Sequence, residues 1–125
     1  MADVAPNTVS DWLLLPELVI QEIRDTSETT EPVRVLTVGL LRATLAACRT
    51  AGLTEALNED LPDSTHIGLP TVTIQAGVEQ TLFRLPLDLG DWVFTCRSFA
   101  KQGINYFPGD VRFCKIRDRY AADID

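Results

Sequence analysis

The sequence contains few of the residues from which metal centres and disulfide frameworks are built. It has a single histidine, His66, and three cysteines, Cys48, Cys96 and Cys114, none of which belongs to a CxxC pair. An odd number of widely spaced cysteines fits neither a zinc cluster nor a disulfide-stabilised fold. We therefore expect no metal, no cofactor and a reducing compartment, in which free thiols persist.

Long apolar runs and catalytic motifs are missing as well. No stretch approaches the roughly 20 apolar residues that cross a bilayer, and the N-terminus, MADVAPNTVSDW, lacks the basic region of a secretory signal. The GxGxxG, Walker, HExxH and GxSxG patterns do not occur. These absences predict a soluble, intracellular protein that is not an enzyme, located in the cytoplasm or, if phage-encoded, in a virion.

Positive charge is scarce, and it is unevenly distributed. The chain has 11 lysines and arginines against 18 aspartates and glutamates, a net charge of −7. Residues 1–91 hold 5 basic and 14 acidic side chains, whereas residues 92–125 hold 6 basic and 4 acidic ones. Binding to nucleic acid requires a positive footprint, so we expect protein partners, and neither nucleic acid nor a membrane.

The chain of 125 residues has the usual size of one domain, and we expect residues 1–125 to fold as a unit. Residues 1–9 have the composition of an N-terminal arm. Residues 10–60 read as a helical part, residues 68–120 as an antiparallel sheet and residues 121–125 as a tail.

A first helix is predicted close to the N-terminal arm. Ser10 and Asp11 suit a helix start, but Pro16 would break a helix that continued through it. Proline is accepted at the first helical position, so we favour a helix over Pro16–Asp25. Because short apolar runs are ambiguous, a strand over the same residues stays open.

The main helix is predicted over EPVRVLTVGLLRATLAACRTAG, with Thr30 as its cap and Gly52 as its stop. Apolar residues at alternating spacings of three and four, with a second apolar stripe beside them, cover more than half of its circumference. A domain of this size can cover one side of such a helix with its sheet. The other side then needs the first helix or another subunit.

Beyond residue 68 the apolar pattern becomes alternating. This pattern predicts three strands, TVTIQAGV, QTLFRLPLDL and WVFTCRSF. The segment FPGD has the composition of a type II turn with Pro108 and Gly109 at its centre. Together, the predicted helices and strands indicate an α+β fold, in which one or two N-terminal helices pack on a C-terminal antiparallel meander sheet of four to five strands.

The last predicted strand, VRFCKIRDRY, carries much of the basic charge of the chain. Such a strand either guards a sheet edge against unwanted pairing or meets the acidic surface of a neighbouring copy in a head-to-tail assembly; the pattern leaves both open. Cys114 lies among these charges, which lower a thiol pKa, although a buried strand cysteine is the favoured interpretation.

We expect a non-enzymatic structural subunit that assembles with copies of itself or with larger protein partners. A bacteriophage virion component, such as a connector, a tail terminator or a decoration protein, is the assembly that its size suggests. The predicted interface comprises four apolar and four basic residues, Leu36, Val38, Leu40, Leu41, Arg112, Lys115, Arg117 and Arg119.

Two other functions stay open. The first is a monomeric acidic inhibitor or adaptor that presents its acidic residues to a basic partner. The second is a small enzyme in which His66 acts as a base oriented by Asp60 or Asp63, although a solvated loop histidine is favoured. The acidic residues of the first alternative are Glu55, Glu59, Asp60 and Asp63, and they lack the spacing of a calcium loop.

Overall fold

The computed structural model describes residues 7–25, 27–53 and 60–125. Within these ranges the chain forms three α-helices, six β-strands and a 3-10 turn, which confirms the α+β class. The helices are α1 (Val9–Leu14), α2 (Leu45–Thr50) and α3 (Gly90–Lys101), and the 3-10 turn, Leu87–Leu89, directly precedes α3. The strands are β1 (Glu22–Ile23), β2 (Val33–Thr44), β3 (His66–Ala76), β4 (Glu79–Arg84), β5 (Gly109–Ile116) and β6 (Arg119–Ile124).

The six strands form one mixed sheet, and its order differs from the expected meander. The order is β1-β5-β2-β3-β4, with β6 also paired to β5. β1 runs parallel to β5, and the other pairs are antiparallel. The helices are not gathered at the N-terminus either, because α3 lies between β4 and β5 in the chain.

The segment predicted as a first helix, Pro16–Asp25, is extended. Arg84 N–H donates to the Pro16 carbonyl at 2.9 Å, and Leu18 N–H donates to the Arg84 carbonyl at 3.1 Å. Further along, Lys115 N–H donates to the Gln21 carbonyl at 3.0 Å. The segment therefore connects the outer edge of β4 to β5. The open strand alternative was the better one, because backbone partners outside the segment satisfy its polar groups.

The short helix before it, α1, begins earlier than Ser10 and Asp11 suggested. Thr8 is its N-cap, and the Thr8 hydroxyl accepts a hydrogen bond from Asp11 N–H at 3.1 Å. The helix ends at Leu14, before Pro16, whose ring would clash in a longer helix. Residues 8 and 9 thus belong to the folded part rather than to an arm, and residues 1–6 of the predicted arm lie outside the described residues.

The predicted main helix is wrong, since most of it is strand β2. The helical pattern arises from a β-bulge. Val35 pairs with Ile74 but Thr37 pairs with Thr73, so β2 has one extra residue at this point. Val35 and Val38 consequently reach the same core. A strand whose buried face recurs at spacings of two and three imitates a helical period.

Only the end of that segment is helical, as α2, and its stop is confirmed. Gly52 has φ of +85°, and its N–H donates to the Arg49 carbonyl at 3.0 Å. Leu53 N–H donates to the Cys48 carbonyl at 2.9 Å. These two bonds form a Schellman motif, which favours a glycine at this position. Thr30 does not cap a helix; its hydroxyl donates to the Phe113 carbonyl at 2.7 Å.

The predicted strand WVFTCRSF is instead helix α3. Val93 and Cys96 are buried, whereas Phe94 is 62% exposed, which is a helical rather than an alternating pattern. Gly103 ends the helix with φ of +89° and a second Schellman pair of hydrogen bonds.

The C-terminal hairpin corrects two further predictions. The predicted tail, residues 121–125, is largely part of β6, and Asp125 N–H donates to the Asp110 carbonyl at 2.9 Å. FPGD is not a type II turn, because the Phe107–Pro108 peptide is cis and the φ of Gly109 is not positive. A glycine is still required there, since a Cβ would collide with the Tyr106 carbonyl oxygen.

Apolar side chains fill two cores, and together they shelter β2 on both faces. Val35 belongs to the larger core and Ala43 to the smaller. The larger core contains Val35, Val72, Ile74, Leu85, Leu89, Val93, Val111 and Phe113, and the smaller one Val9, Trp12, Ala43, Cys48 and Leu69. A central strand covered on both faces has a nearly continuous apolar sequence, so this segment does not by itself require a second chain.

Candidate functional site

One cavity of the described part of the chain is a cleft of about 640 Å³. It lies where β2 and β3 meet the N-terminal end of α3 and the start of β6. This volume is within the range of ligand and side-chain binding sites. Its lining residues are Leu40, Leu45, Leu61, His66, Ile67, Gly68, Leu87, Asp88, Gly90, Asp91, Phe94, Arg119 and Tyr120.

Two glycines set how closely the elements around the cleft approach each other. A Cβ on Gly68 would lie 2.9 Å from the Cδ2 methyl of Leu40, so glycine leaves room for that side chain. A Cβ on Gly90 would lie 3.4 Å from the Gly68 carbonyl oxygen. The first turn of α3 therefore rests almost directly on the backbone of β3, and this contact fixes the position of the helix at the cleft.

Phe94 and Leu61 are the exposed large apolar side chains of the cleft. Phe94 is 62% exposed because α3 turns its neighbours Val93 and Cys96 into the protein. Leu61 is 39% exposed. Val78, at the tip of the β3–β4 hairpin, is more exposed still but is not part of the cleft. An aromatic ring beside a concave surface is a typical feature of protein contact sites.

The cleft also carries charges of both signs on different elements. Asp88 and Asp91 come from the 3-10 turn and the first turn of α3, and Arg119 comes from the start of β6. These three side chains are not paired with one another. Within the described ranges the ion pairs are Arg34–Asp110, Arg49–Asp63, Arg84–Glu17 and Arg112–Asp125.

The structure brings one apolar and one basic residue of the predicted interface together. Leu40 and Arg119 both line the cleft. Val38 packs against the larger core and Leu41 against the smaller, because successive strand residues face opposite sides of the sheet. Leu36 is half-buried on β2.

The remaining basic residues of the predicted interface do not form one continuous strand face. Arg112 bonds the Asp125 carboxylate and the Thr30 carbonyl. The ammonium group of Lys115 lies 5.3 Å from the ring centre of Tyr120. Arg117 is in the two-residue turn between β5 and β6, which places Arg119 on the next strand. The basic stretch is thus folded into a hairpin.

His66 lies in the cleft, but one carboxylate expected to orient it is engaged elsewhere. Asp63 accepts a hydrogen bond from Arg49, and its carbonyl accepts one from Ala46 N–H. His66 itself is exposed at the first position of β3. Among the described residues, no group of three or more His, Cys, Asp and Glu side chains has the geometry of a metal site.

The acidic surface expected of an inhibitor or adaptor is described only in part. Glu55 and Glu59 lie outside the described residues, whereas Asp60 and Asp63 are exposed. Asp63 is paired with Arg49.

The cysteines are separate from the cleft. Cys48 and Cys96 are buried in the smaller core and on the inner face of α3, and burial raises the pKa of both thiols. Cys114 is half-buried on β5 opposite Ala121. The basic side chains on either side of it, Arg112 and Lys115, contact Asp125 and Tyr120, as described above.

Sequence reasoning missed Phe94, Asp88 and Asp91 as site residues because it read α3 as a strand. Asp91 in the first turn and Lys101 in the last, followed by Gly103, were the available helix signal.

Within the described part of the chain, no helix has the length and apolar character needed to cross a membrane. Compared with protein-family models, curated proteins and solved structures, the chain matches none.

Proposed function

We propose that the protein is a non-enzymatic assembly subunit that docks with other protein chains through this cleft. The observation that carries the proposal is the position of Phe94, a largely exposed aromatic side chain beside a concave, partly apolar surface. Aromatic anchors beside pockets supply much of the binding energy of protein interfaces. Burying one fully is favourable by about 1.5–3 kcal/mol.

The composition of the cleft supports a protein partner. Leu40, Leu61 and Ile67 offer apolar surface, while Asp88, Asp91 and Arg119 offer charged groups. Protein interfaces combine an apolar centre with a polar rim in this way. The charges would orient the partner and add to the rate of association rather than supply most of the affinity.

The finer assignment to a virion stays a prediction from size and composition. Assembly with copies of the same chain is the simplest form of docking, and it can be measured with the purified protein alone.

The enzymatic alternative has one observation in its favour, the position of His66 in the cleft. Its ring would need an orienting partner, and Asp63 is bonded to Arg49 instead.

Light scattering over a range of protein concentrations tests the proposal. The wild type is expected to exceed the mass of one chain as concentration rises, and Phe94→Asp to remain a single chain. Val78→Asp is the matched control, because Val78 is 96% exposed but lies outside the cleft; it should behave as wild type. A wild type that stays monomeric, or a Phe94→Asp variant that associates normally, would contradict the proposal.

A further inference from the structure

We infer that the partner at the cleft is a second copy of this chain, bound around a two-fold axis. The inference rests on the proposed function and adds to it the identity and symmetry of the partner. It is carried by the charges of the cleft, which are of both signs and are not neutralised by one another.

Both halves of a complementary charge pair are present on the same surface. Asp88 lies in the 3-10 turn and Asp91 in the first turn of α3, and Arg119 lies at the start of β6, a strand that contacts the 3-10 turn. A two-fold axis through the cleft would bring Arg119 of each copy to the aspartates of the other. Two equivalent sets of ion pairs would then form at once, as an isologous interface requires.

Head-to-tail assembly is the alternative, and the cleft does not favour it. A head-to-tail contact joins two different surfaces of the chain, one on each copy. Here the acidic and basic groups share one cleft, and the exposed Phe94 lies among them. A two-fold axis through the cleft would allow Phe94 of each copy to cover apolar surface of the other.

The net charge of −7 opposes the approach of two copies, so opposite charges at the contact favour a dimer. Two such chains repel each other at long range, and the repulsion is screened over about 8–10 Å at physiological salt. Association must therefore come from short-range contacts, in which apolar burial and opposite charges that meet both offset the repulsion. Arg119 provides the positive side of such a contact on an otherwise acidic chain.

Charge reversal in two separate variants tests the inference. Arg119→Asp makes the charged side chains at this surface acidic, and the double change Asp88→Arg with Asp91→Arg makes them basic. Each variant alone should dimerise roughly tenfold or more weakly than wild type, because like charges then face each other. An equimolar mixture should form mixed dimers, since the aspartate introduced in one chain would face the two arginines introduced in the other. Native mass spectrometry separates mixed from unmixed dimers by mass.

Two controls separate this effect from general charge and from misfolding. Arg42→Asp and Glu79→Arg reverse charges that are exposed outside the cleft, and both should dimerise as wild type does. The milder variants Arg119→Gln and Asp91→Asn should weaken the dimer in the same direction by a smaller factor. Thermal melting establishes that each variant is folded before its mass is interpreted.

The outcomes distinguish this inference from the proposed function. Mixed dimers from two variants that are each monomeric support the two-fold interface. A wild type that forms larger rings, or charge-reversed variants that dimerise normally while Phe94→Asp does not, overturns the two-fold inference and leaves docking at the cleft intact. A strictly monomeric wild type overturns both.

Discussion

Arg117 occupies the position in the β5–β6 turn that Gly77 occupies in the β3–β4 turn. Both hairpins have two-residue loops, since Ile116 pairs with Arg119 and Ala76 pairs with Glu79. The backbone φ is +58° at Arg117 and +64° at Gly77. Residues other than glycine adopt this left-handed conformation at a cost of roughly 1–2 kcal/mol. The β3–β4 turn therefore has the glycine that this backbone conformation favours, whereas the β5–β6 turn has an arginine there.

Replacing Arg117 with glycine should therefore stabilise the fold. We expect Arg117→Gly to raise the free energy of unfolding by about 1 kcal/mol in urea denaturation, because glycine removes the left-handed strain. Arg117→Ala is the matched control: it removes the same charge but keeps a Cβ, so it should give no comparable gain. Equal stabilisation by both variants would show that the charge, and not the backbone, was responsible.

The reverse experiment uses the other turn. A Cβ added to Gly77 would meet no atom within 4 Å, so no steric clash accompanies the change. Gly77→Ala should lower the free energy of unfolding by about 1 kcal/mol through backbone conformation alone. Unchanged stability in urea denaturation would contradict this reading of both hairpins.

The buried Thr30 hydroxyl joins the segment just before β2 to the middle of β5. It donates to the Phe113 carbonyl at 2.7 Å, and Thr30 is 6% exposed. Thr30→Val keeps the shape but leaves that carbonyl without this partner, so we expect a loss of about 1–3 kcal/mol in chemical denaturation. Thr29→Val, at an exposed neighbour, should change stability by less than about 0.5 kcal/mol. A similar loss from both variants would remove the hydrogen bond as the explanation.

Gly68 leaves the space that the Leu40 side chain occupies at the cleft. A Cβ at this position would press on the end of the Leu40 side chain, which can move into the cleft. Gly68→Ala should therefore weaken self-association measured by sedimentation while lowering the melting temperature only slightly. Gly109→Ala is the contrasting variant, since its Cβ meets backbone of Tyr106, and it should destabilise the fold. Normal association of Gly68→Ala would argue against the cleft as the contact surface.

The buried thiols predict how stability depends on pH in alkaline solution. Burial raises the pKa of Cys48 and Cys96 above the ordinary value of 9.0. The unfolded chain therefore loses these protons at a lower pH than the folded chain, and the free energy of unfolding falls as the pH rises above about 9. Replacing both cysteines by alanine should reduce this slope. An unchanged slope in the double variant would refute the assignment.

Local signals in the sequence predicted the parts of the fold that depend on local chemistry. The alternation around Val72 and Ile74 correctly predicted β3, and Gly52 correctly marked a left-handed helix stop. Glycine has these conformations because it lacks a Cβ, and a strand with one buried face must alternate. Such signals need no knowledge of distant residues.

The errors arose where tertiary contacts override the local pattern. The bulge beside Val35 shifts the register of β2, and no local motif marks it. Trp92, Phe94 and Cys96 alternate in sequence, yet it is Val93 and Cys96 that meet the sheet once the segment is helical. The cleft combines residues from β2, β3, α3 and β6, so its composition could not be predicted before the topology was known.

Hydrogen exchange at low and high protein concentration locates the surface through which copies of the chain meet. Raising the concentration is expected to protect the backbone amides of the two segments that line the cleft, 88–94 and 119–120. The exposed turn at Gly77–Val78 should exchange at the same rate under both conditions. Protection that appears elsewhere, or no change at the cleft while the protein associates, would show that the cleft is not the contact surface.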